Sequence, residues 1–322
     1  MRVPRREFLG SVAGLAAASV IPRSALAGFA HEFASERLYP PTDLSYFDTP
    51  ITPAPSEIHF GYAAITWGGN DRQAIEDIAS LGFPGIQLRS NCIEEFGNPN
   101  GLRDFLTQHN LRFVALSSGE IDPDPALEAQ QIALHTAHAE FLQKAGGFYL
   151  QVVDRRPQSR EVSETECKRL GKLLTKLGRR IADLGISLGY HNHMGSRGEH
   201  PQGVDWIMES VDPRYARLEL DVAHYVEGGG DPVAAIDKFA DRLLFLHIKD
   251  AERLRGAKDP FRFVELGRGS VNLPGVFDAL RKINFRGWAI VELDAVPDKA
   301  RTPKESAVIS KKYLQEKLKL KL

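Results

Sequence analysis

The fold is decided by four short apolar runs that each end in polar, metal-ligating residues. The runs are Leu188-Gly189-Tyr190-His191-Asn192-His193, Leu218-Glu219-Leu220-Asp221-Val222-Ala223-His224, Leu244-Phe245-Leu246-His247-Ile248-Lys249-Asp250 and Ala289-Ile290-Val291-Glu292-Leu293-Asp294. Helical or capped patterns follow them, which is typical of consecutive strand–helix units. In an eightfold barrel of such units the strand exits meet on one rim, where active sites are built. We therefore expect His191, Asp221, His247 and Glu292 to converge.

The preceding part of the chain supplies the remaining strand–helix units. Four further strands are predicted over residues 58–65, 85–88, 113–116 and 147–153. We expect Asp71 to cap the first helix and Asp124-Pro125 to start the long third helix, because proline is favoured in a first turn. Residues 251–270 are predicted to form a long loop. The predicted fold class is α/β, a single-domain (β/α)8 TIM barrel over residues 57–322.

The first 27 residues have the pattern of an export signal. Arg5-Arg6 is a twin arginine, residues 12–21 form a short apolar run, and Ala25-Leu26-Ala27 fits a small-x-small cleavage site. The run is too short for a membrane span. We predict a twin-arginine-type signal peptide over residues 1–27 and a periplasmic or exported enzyme; an uncleaved amphipathic tail is the alternative. Residues 28–56, with five prolines, are predicted to be a linker or arm.

Composition and charge narrow the class of partner. The chain has 322 residues, 43% hydrophobic and 26% charged, which is typical of a globular protein. Its net charge is −1, and without the four Arg and one Glu of the leader it becomes −4. A nucleic-acid partner is therefore not expected, nor a membrane partner after signal cleavage. A homodimer is left open. Cys92 and Cys167 are predicted to be free structural thiols, with one disulfide as the alternative.

The four converging side chains offer two imidazoles and two carboxylates. Such a set suits Mn²⁺, Mg²⁺, Co²⁺ or Zn²⁺ with coordination positions open to a substrate. A divalent ion could chelate a carbonyl and the neighbouring hydroxyl and stabilise the enediolate formed by proton loss between them. A single strand-end Asp or His is more often a structural polar group. Four such residues at successive strand exits favour a metal site.

Two other features carry weaker signals. Gly267-Arg268-Gly269 has half of a dinucleotide-binding fingerprint but does not follow a strand at the right spacing, which favours a tight loop. Trp67 could stack on a sugar face or pack under the rim. Neither feature decides a function alone.

At these residues the sequence resembles the xylose-isomerase-like barrel superfamily, also called the sugar phosphate isomerase/epimerase family, and within it the inosose dehydratase branch. The motifs that carry the resemblance are Ile65-Thr66-Trp67-Gly68-Gly69-Asn70-Asp71, Tyr190-His191-Asn192-His193-Met194-Gly195, Leu218 to His224, His247-Ile248-Lys249-Asp250, Leu266-Gly267-Arg268-Gly269 and Gly287-Trp288-Ala289-Ile290-Val291-Glu292. The resemblance implies a Mn²⁺-like ion with Asp221, His247 and Glu292 as ligands. It also implies that His224 contacts the substrate.

One position departs from the family pattern. Ketose 3-epimerases of the family carry a Glu at the exit of strand five, where this chain has His191. Epimerisation uses two opposed carboxylates, whereas elimination needs one base and one acid for the leaving group. Glu292 would be the base and His191 or His193 the acid. We therefore rank dehydratase, lyase or hydratase chemistry beside isomerase chemistry and slightly ahead of it.

The predicted substrate is a small ketosugar or keto-polyol. Its binding residues are predicted to be His224, Trp67, Lys249, Arg268 and Asn192. Two other classes of protein remain as alternatives. One is a non-catalytic sugar-binding barrel, and the other is a repair enzyme related to endonuclease IV, which would need three metal ions and a basic groove.

Overall fold

The computed structural model describes residues 57–155, 161–254, 256 and 260–322. The predicted signal peptide and the proline-rich arm both lie outside these residues. None of the described helices is long and apolar enough to cross a membrane.

Eight parallel strands close into a barrel, as the sequence predicts. In chain order they are β1 (Ile58–Ala63), β2 (Gly85–Arg89), β3 (Arg112–Ile121), β4 (Tyr149–Asp154), β5 (Ser187–His191), β6 (Ala216–Asp221), β7 (Leu243–Ile248) and β10 (Gly287–Val291). Neighbours in the barrel are neighbours in this order, and β10 pairs with β1 to close it. All strand exits therefore lie on one rim.

Helices connect and cover the strands. They are α1 (Asp71–Ser80), α2 (Asn91–Phe96), α3 (Pro99–Gln108), α4 (Glu128–Lys144), α5 (Glu164–Ala182), α6 (Pro201–Ser210), α7 (Val222–Glu227), α8 (Pro232–Lys238), α9 (Leu273–Lys282) and α10 (Pro303–Lys312). A 3₁₀ turn over Ala64–Trp67 follows β1, and a π-helical turn over Tyr313–Lys317 follows α10. Because helices cover the sheet from outside, the strands are largely buried on both faces.

Local signals fix several helix starts. Asp231 accepts the backbone N–H of Val233 at the start of α8, with proline in the first turn. Thr302 and Glu305 form the predicted capping box of α10. Cys92 and Cys167 are free and buried, which confirms the prediction of two structural thiols.

Two predicted helix starts need correction. Asn70, and not Asp71, caps α1, because its side chain accepts the N–H of Gln73. Asp71 is instead the first helical residue. The long helix α4 begins at Glu128 and not at Asp124, since Asp124 accepts the N–H of Ala126 and so stabilises a separate turn.

The predicted loop over residues 251–270 contains a hairpin. Its strands are β8 (Asp250–Arg253) and β9 (Phe261–Val264), which pair antiparallel. Asp250 organises the corner: its carboxylate accepts backbone N–H groups of Ala251, Gly267, Gly269 and Val271 at 2.9–3.1 Å. Gly267-Arg268-Gly269 is thus a tight loop around a carboxylate, as the spacing indicated. The sequence did not reveal the hairpin because its strands are only four residues long.

Close packing of α5 against its neighbours depends on two glycines seven residues apart. A Cβ at Gly178 would lie 2.2 Å from the carbonyl oxygen of Tyr215, and one at Gly171 would lie 2.5 Å from that of Ile207. A seven-residue spacing places both on one helix face. Neither neighbour is a flexible side chain, so the backbones themselves would have to move.

We expect Gly178→Ala to lower the free energy of unfolding by about 1–3 kcal/mol, because overpacking outweighs the gain in helix propensity. Gly101→Ala is the matched control. Gly101 lies in α3 with nothing within 4 Å of a Cβ, so alanine should stabilise the protein by up to about 1 kcal/mol. Urea unfolding followed by circular dichroism measures both. Shifts of the same sign would show that the close contact of α5 does not constrain the barrel.

Candidate metal and active site

Four side chains from separate strand exits meet on the rim. His191 ends β5, Asp221 ends β6, His247 lies near the end of β7, and Glu292 follows β10. Each offers one ligand atom, and these atoms all lie within 4.8 Å of one another. The structure therefore brings together all four residues that the sequence predicted to converge. Their exposure is 7% or less, so they meet beneath the surface.

The donor atoms of this group fit a cation. His191 Nδ1, Asp221 Oδ2 and His247 Nδ1 are buried and have no hydrogen-bond partner among the described residues. Buried polar atoms of this kind are rare because each costs about 1–3 kcal/mol when unpaired. Two nitrogens and two carboxylate oxygens are a set that binds Zn²⁺ or Mn²⁺. The residues present thus fit a divalent ion, and its binding stays a prediction.

His247 is the most constrained member of the group. Its Nε2 lies 2.6 Å from Glu219 Oε1 and 2.9 Å from Gln87 Oε1, while its Nδ1 lies 3.1 Å from Glu292 Oε2. Burial alone would lower the pKa of His247, but the Glu219 and Glu292 carboxylates outweigh burial and raise it well above its ordinary value. The site therefore attracts positive charge at Nδ1, which a proton or a metal ion can supply.

Glu219 was missed by the sequence analysis, although a signal existed. It lies two residues before Asp221 on β6, so both side chains point into the barrel. It is fully buried, and burial raises its pKa to about 7. Because metal-bound imidazoles usually donate their second N–H to a carboxylate, Glu219 is placed to orient His247 as a ligand through Nδ1.

Lys249 lies fully buried among carboxylates. Its Nζ donates to Glu292 Oε2 at 3.0 Å and Asp294 Oδ1 at 2.6 Å, and lies 3.8 Å from Asp221 Oδ2. The Phe263 ring of the hairpin covers it, with Nζ 4.0 Å from the ring centroid. Burial would lower its pKa, but Glu292 and Asp294 outweigh burial and raise it. Lys249 is thus a fixed cation beside the predicted ligands.

Three histidines form a second group that shares His191. The ligand atoms of His191, His193 and His224 also lie within 4.8 Å of one another. The rings of His193 and His224 are 3.9 Å apart between centroids. Burial lowers the pKa of His191 well below its ordinary value, and the charge of His247 adds to this effect. Burial likewise lowers the pKa of His224 well below its ordinary value, and the charge of Lys249 adds to it. Both imidazoles are therefore neutral at neutral pH.

Three predicted substrate-binding residues are placed elsewhere or engaged otherwise. Asn192 is fully buried and clamps β5 to β6, accepting the N–H of Asp221 and donating to its carbonyl. The indole N–H of Trp67 donates to Asp77 of α1, so Trp67 packs under the rim. Arg268 lines a separate cavity between the hairpin and residues 297–301. The structure therefore does not bring Asn192 and Arg268 together with the four-residue group, and their contact with a substrate stays a prediction.

A small cavity of about 140 Å³ opens beside the four-residue group. On one side it is lined by His191, His193, Glu292 and Asp294. The other side is formed by strands β1, β2, β3 and β4 and by the 3₁₀ turn that follows β1, through Ala63, Ala64, Ile65, Gln87, Arg89, Ser117, Gln151 and Val153. The volume is below that of sites for drug-sized ligands and suits a small molecule. His193 lines it directly, whereas His224 lies behind His193.

Comparisons with known proteins agree with this geometry. The family model described as a xylose isomerase-like TIM barrel matches residues 75–316. An inosose dehydratase of Bacillus velezensis is 28% identical over 300 residues, covering 81% of this chain and 97% of its own.

Two solved structures share the fold. The IolI protein with a bound zinc atom superposes with a TM-score of 0.70 at 19% identity, covering 80% of this chain and 97% of its own. A D-allulose 3-epimerase from Methylomonas gives a TM-score of 0.65 at 21% identity, covering 81% and 98%. At these identities the structures show the shared barrel.

We expect Glu219→Gln to weaken binding of Mn²⁺ or Zn²⁺ by about 10- to 100-fold, because a neutral amide orients the His247 ring less firmly. Isothermal titration calorimetry on the metal-free protein measures the dissociation constant. Glu209→Gln, an exposed change of the same type on α6, is the control and should leave it unchanged. If the folded Glu219→Gln variant binds the metal ion as tightly as the wild type does, Glu219 does not support the metal site.

Proposed function

The chain belongs to the xylose isomerase-like TIM barrel family, and on that premise we propose that it is a divalent-metal-dependent enzyme acting on a small ketosugar or keto-polyol. The relatives support an enzyme of the sugar isomerase, epimerase or dehydratase kind. The observation that carries the proposal is the buried group of His191, Asp221, His247 and Glu292, in which three nitrogen or oxygen atoms make no hydrogen bond among the described residues.

These four residues would hold the cation, which would act as a Lewis acid toward a ketone oxygen and its neighbouring hydroxyl. Mn²⁺ stays a prediction, and the zinc in the IolI structure makes Zn²⁺ an equal candidate. Metal analysis of the purified protein distinguishes the two. A non-catalytic sugar-binding barrel would need no stoichiometric ion.

Glu292 is the proposed base. Although burial opposes ionisation, His247 and Lys249 hold the pKa of Glu292 well below its ordinary value, so it is a carboxylate at neutral pH. It lines the cavity and can accept the proton from the carbon next to the ketone. Lys249, 3.0 Å away, keeps the carboxylate in place while the proton moves.

His193 is the better placed of the two proposed acids. His191 is 4% exposed and belongs to the predicted ligand group, whereas His193 is half-buried and lines the cavity. The Nδ1 of His193 lies 2.8 Å from the carbonyl oxygen of Met194, which leaves Nε2 for a substrate. A protonated His193 could deliver its proton to a departing hydroxide or alkoxide. With Glu292 as the base and His193 as the acid, the site favours elimination, and isomerisation is the second candidate reaction.

The alternative of a DNA repair enzyme is not favoured. A phosphate backbone needs a basic groove. Around this cavity the structure instead places Asp294 and Glu292, with Asp221 and Glu219 behind them.

The proposed location bears on the substrate. Phosphorylated sugars are mostly cytoplasmic, so an exported enzyme would act on a free ketosugar, a keto-inositol or a 3-keto-glycoside. We propose export from the twin arginine at Arg5-Arg6.

We expect the full chain to export its mature part to the periplasm of a bacterium with twin-arginine transport, and the Arg5→Lys/Arg6→Lys variant to stay in the cytoplasm. Immunoblots of fractionated cells measure both. Equal export of the two forms would contradict the assignment.

We expect the metal-loaded protein to exchange the proton next to the ketone of inosose or of a 3-keto-glucoside in D₂O. Glu292→Gln should slow this exchange by about 10²- to 10⁴-fold, because a general base is lost. Chelation with EDTA should abolish it, and added metal should restore it. Proton NMR follows the exchange, with Glu209→Gln as the control. A metal-loaded wild-type protein that exchanges no proton from any of these ketones would contradict the proposed reaction.

A further inference from the structure

Three polar side chains form a row across three adjacent strands on the wall of the cavity. In the strand registers Arg89 of β2 pairs with Ser117 of β3, and Ser117 pairs with Gln151 of β4. Adjacent strands lie about 4.8 Å apart, so a guanidinium, a hydroxyl and a carboxamide stand side by side. All three line the same cavity as His191 and Glu292. None of them belongs to the predicted ligand group.

Gln151 is the informative member of the row. It is 3% exposed, and its side-chain oxygen Oε1 is buried without a hydrogen-bond partner among the described residues. A buried carbonyl without a hydrogen bond is unfavourable, and a hydroxyl donor in the cavity would supply the missing bond. Its register neighbour on β5 is Gly189, which offers no side chain to fill this need.

We infer that this row is the specificity wall of the site, in which Gln151 accepts a hydrogen bond from a hydroxyl of a neutral, polyhydroxylated ketone. Ser117 and Arg89 continue the row toward the cavity mouth and bind further hydroxyls of the same molecule. The inference rests on the proposed function, because the ketone at the predicted cation orients the substrate across the cavity. Gln151 acts in recognition and Glu292 in proton transfer.

Charge favours a neutral substrate over an anionic one. Arg89 has no carboxylate within 4.0 Å in the part of the chain that the structure describes, so its guanidinium is available to a ligand. It is exposed, however, where solvent weakens an ion pair. On the opposite wall the ammonium of Lys249 is already bonded to Glu292 and Asp294, so among the described residues it is not a free partner for a carboxylated substrate. A guanidinium can instead donate to two neighbouring hydroxyls.

The test measures affinity and not turnover. Isothermal titration calorimetry of the metal-loaded full chain with inosose compares wild type, Gln151→Met and Gln143→Leu. Methionine keeps the length of glutamine and removes the acceptor, and Gln143 is an exposed glutamine on α4. We expect Gln151→Met to weaken binding about tenfold and Gln143→Leu to leave it unchanged.

A set of monodeoxyinososes identifies the hydroxyl. For the wild type, we expect one of these analogues to bind about tenfold more weakly than inosose. For that same analogue, the affinities of Gln151→Met and of the wild type should be equal, because the hydroxyl that Gln151 would bind is missing. Two results would overturn the role of Gln151. One is that Gln151→Met and the wild type bind inosose equally well. The other is that, for every analogue, the loss of affinity from the missing hydroxyl simply adds to the loss from Gln151→Met.

D-Fructose and D-fructuronate, which differ by one terminal carboxylate, test the charge argument. We expect the fructuronate to bind no tighter than the fructose. Tighter fructuronate binding that Arg89→Gln abolishes would overturn the neutral-substrate inference and assign Arg89 to an anion. If neither inosose nor fructose binds, the wall does not recognise polyhydroxylated ketones. The metal affinity of the same samples shows separately whether the predicted cation site stands.

Discussion

The structure depends on an imbalance of buried charge at the carboxyl end of the barrel. Asp221, Glu292 and Asp294 lie around a single ammonium, that of Lys249, and Glu219 lies next to His247. Burying carboxylates without compensation costs several kcal/mol each. The protein alone reduces this cost by raising the pKa of Glu219 and of His247, that is, by taking up protons. A divalent cation between the donor atoms that lack a hydrogen bond would provide the same compensation, and for this reason we propose one there.

The barrel makes this concentration of charge possible. Each strand brings its last inward-facing residue to the rim, so residues far apart in sequence become neighbours without long loops. The clamp of Asn192 on the backbone of Asp221 fixes β5 against β6, and Asp250 fixes the loop that carries the hairpin. Phe263 of that hairpin then covers Lys249. The barrel and this cover bury the side chains of Glu219, Asp221 and Lys249 completely, which strengthens their interactions.

The sequence predicted the barrel and the four converging residues because apolar runs ending in His, Asp or Glu have both a strand pattern and a recognisable end. It did not predict which polar residues serve the fold. Asn192 finds its partner on the neighbouring strand β6 and Trp67 finds its partner on helix α1, and no local pattern shows either contact. Arg268 lies on a tight loop around Asp250 whose path is a tertiary property. Glu219, Gln87 and Gln151 were missed because they sit inside apolar strands, where alternation of side chains is the only signal.

The cavity has a second half, which consists of residues that the sequence did not assign to the site. The ends of β5, β6, β7 and β10 contribute the imidazoles and carboxylates. Strands β2, β3 and β4 contribute Arg89, Ser117 and Gln151, among which only the exposed Arg89 is charged. Proton transfer needs the strong electric field of the charged groups, and this field acts in the same way on any ketone. Discrimination between ketones therefore has to come from groups outside the charged half, since hydroxyl hydrogen bonds differ from one sugar to the next. The unpaired oxygen of Gln151 lies in the half where such discrimination is needed.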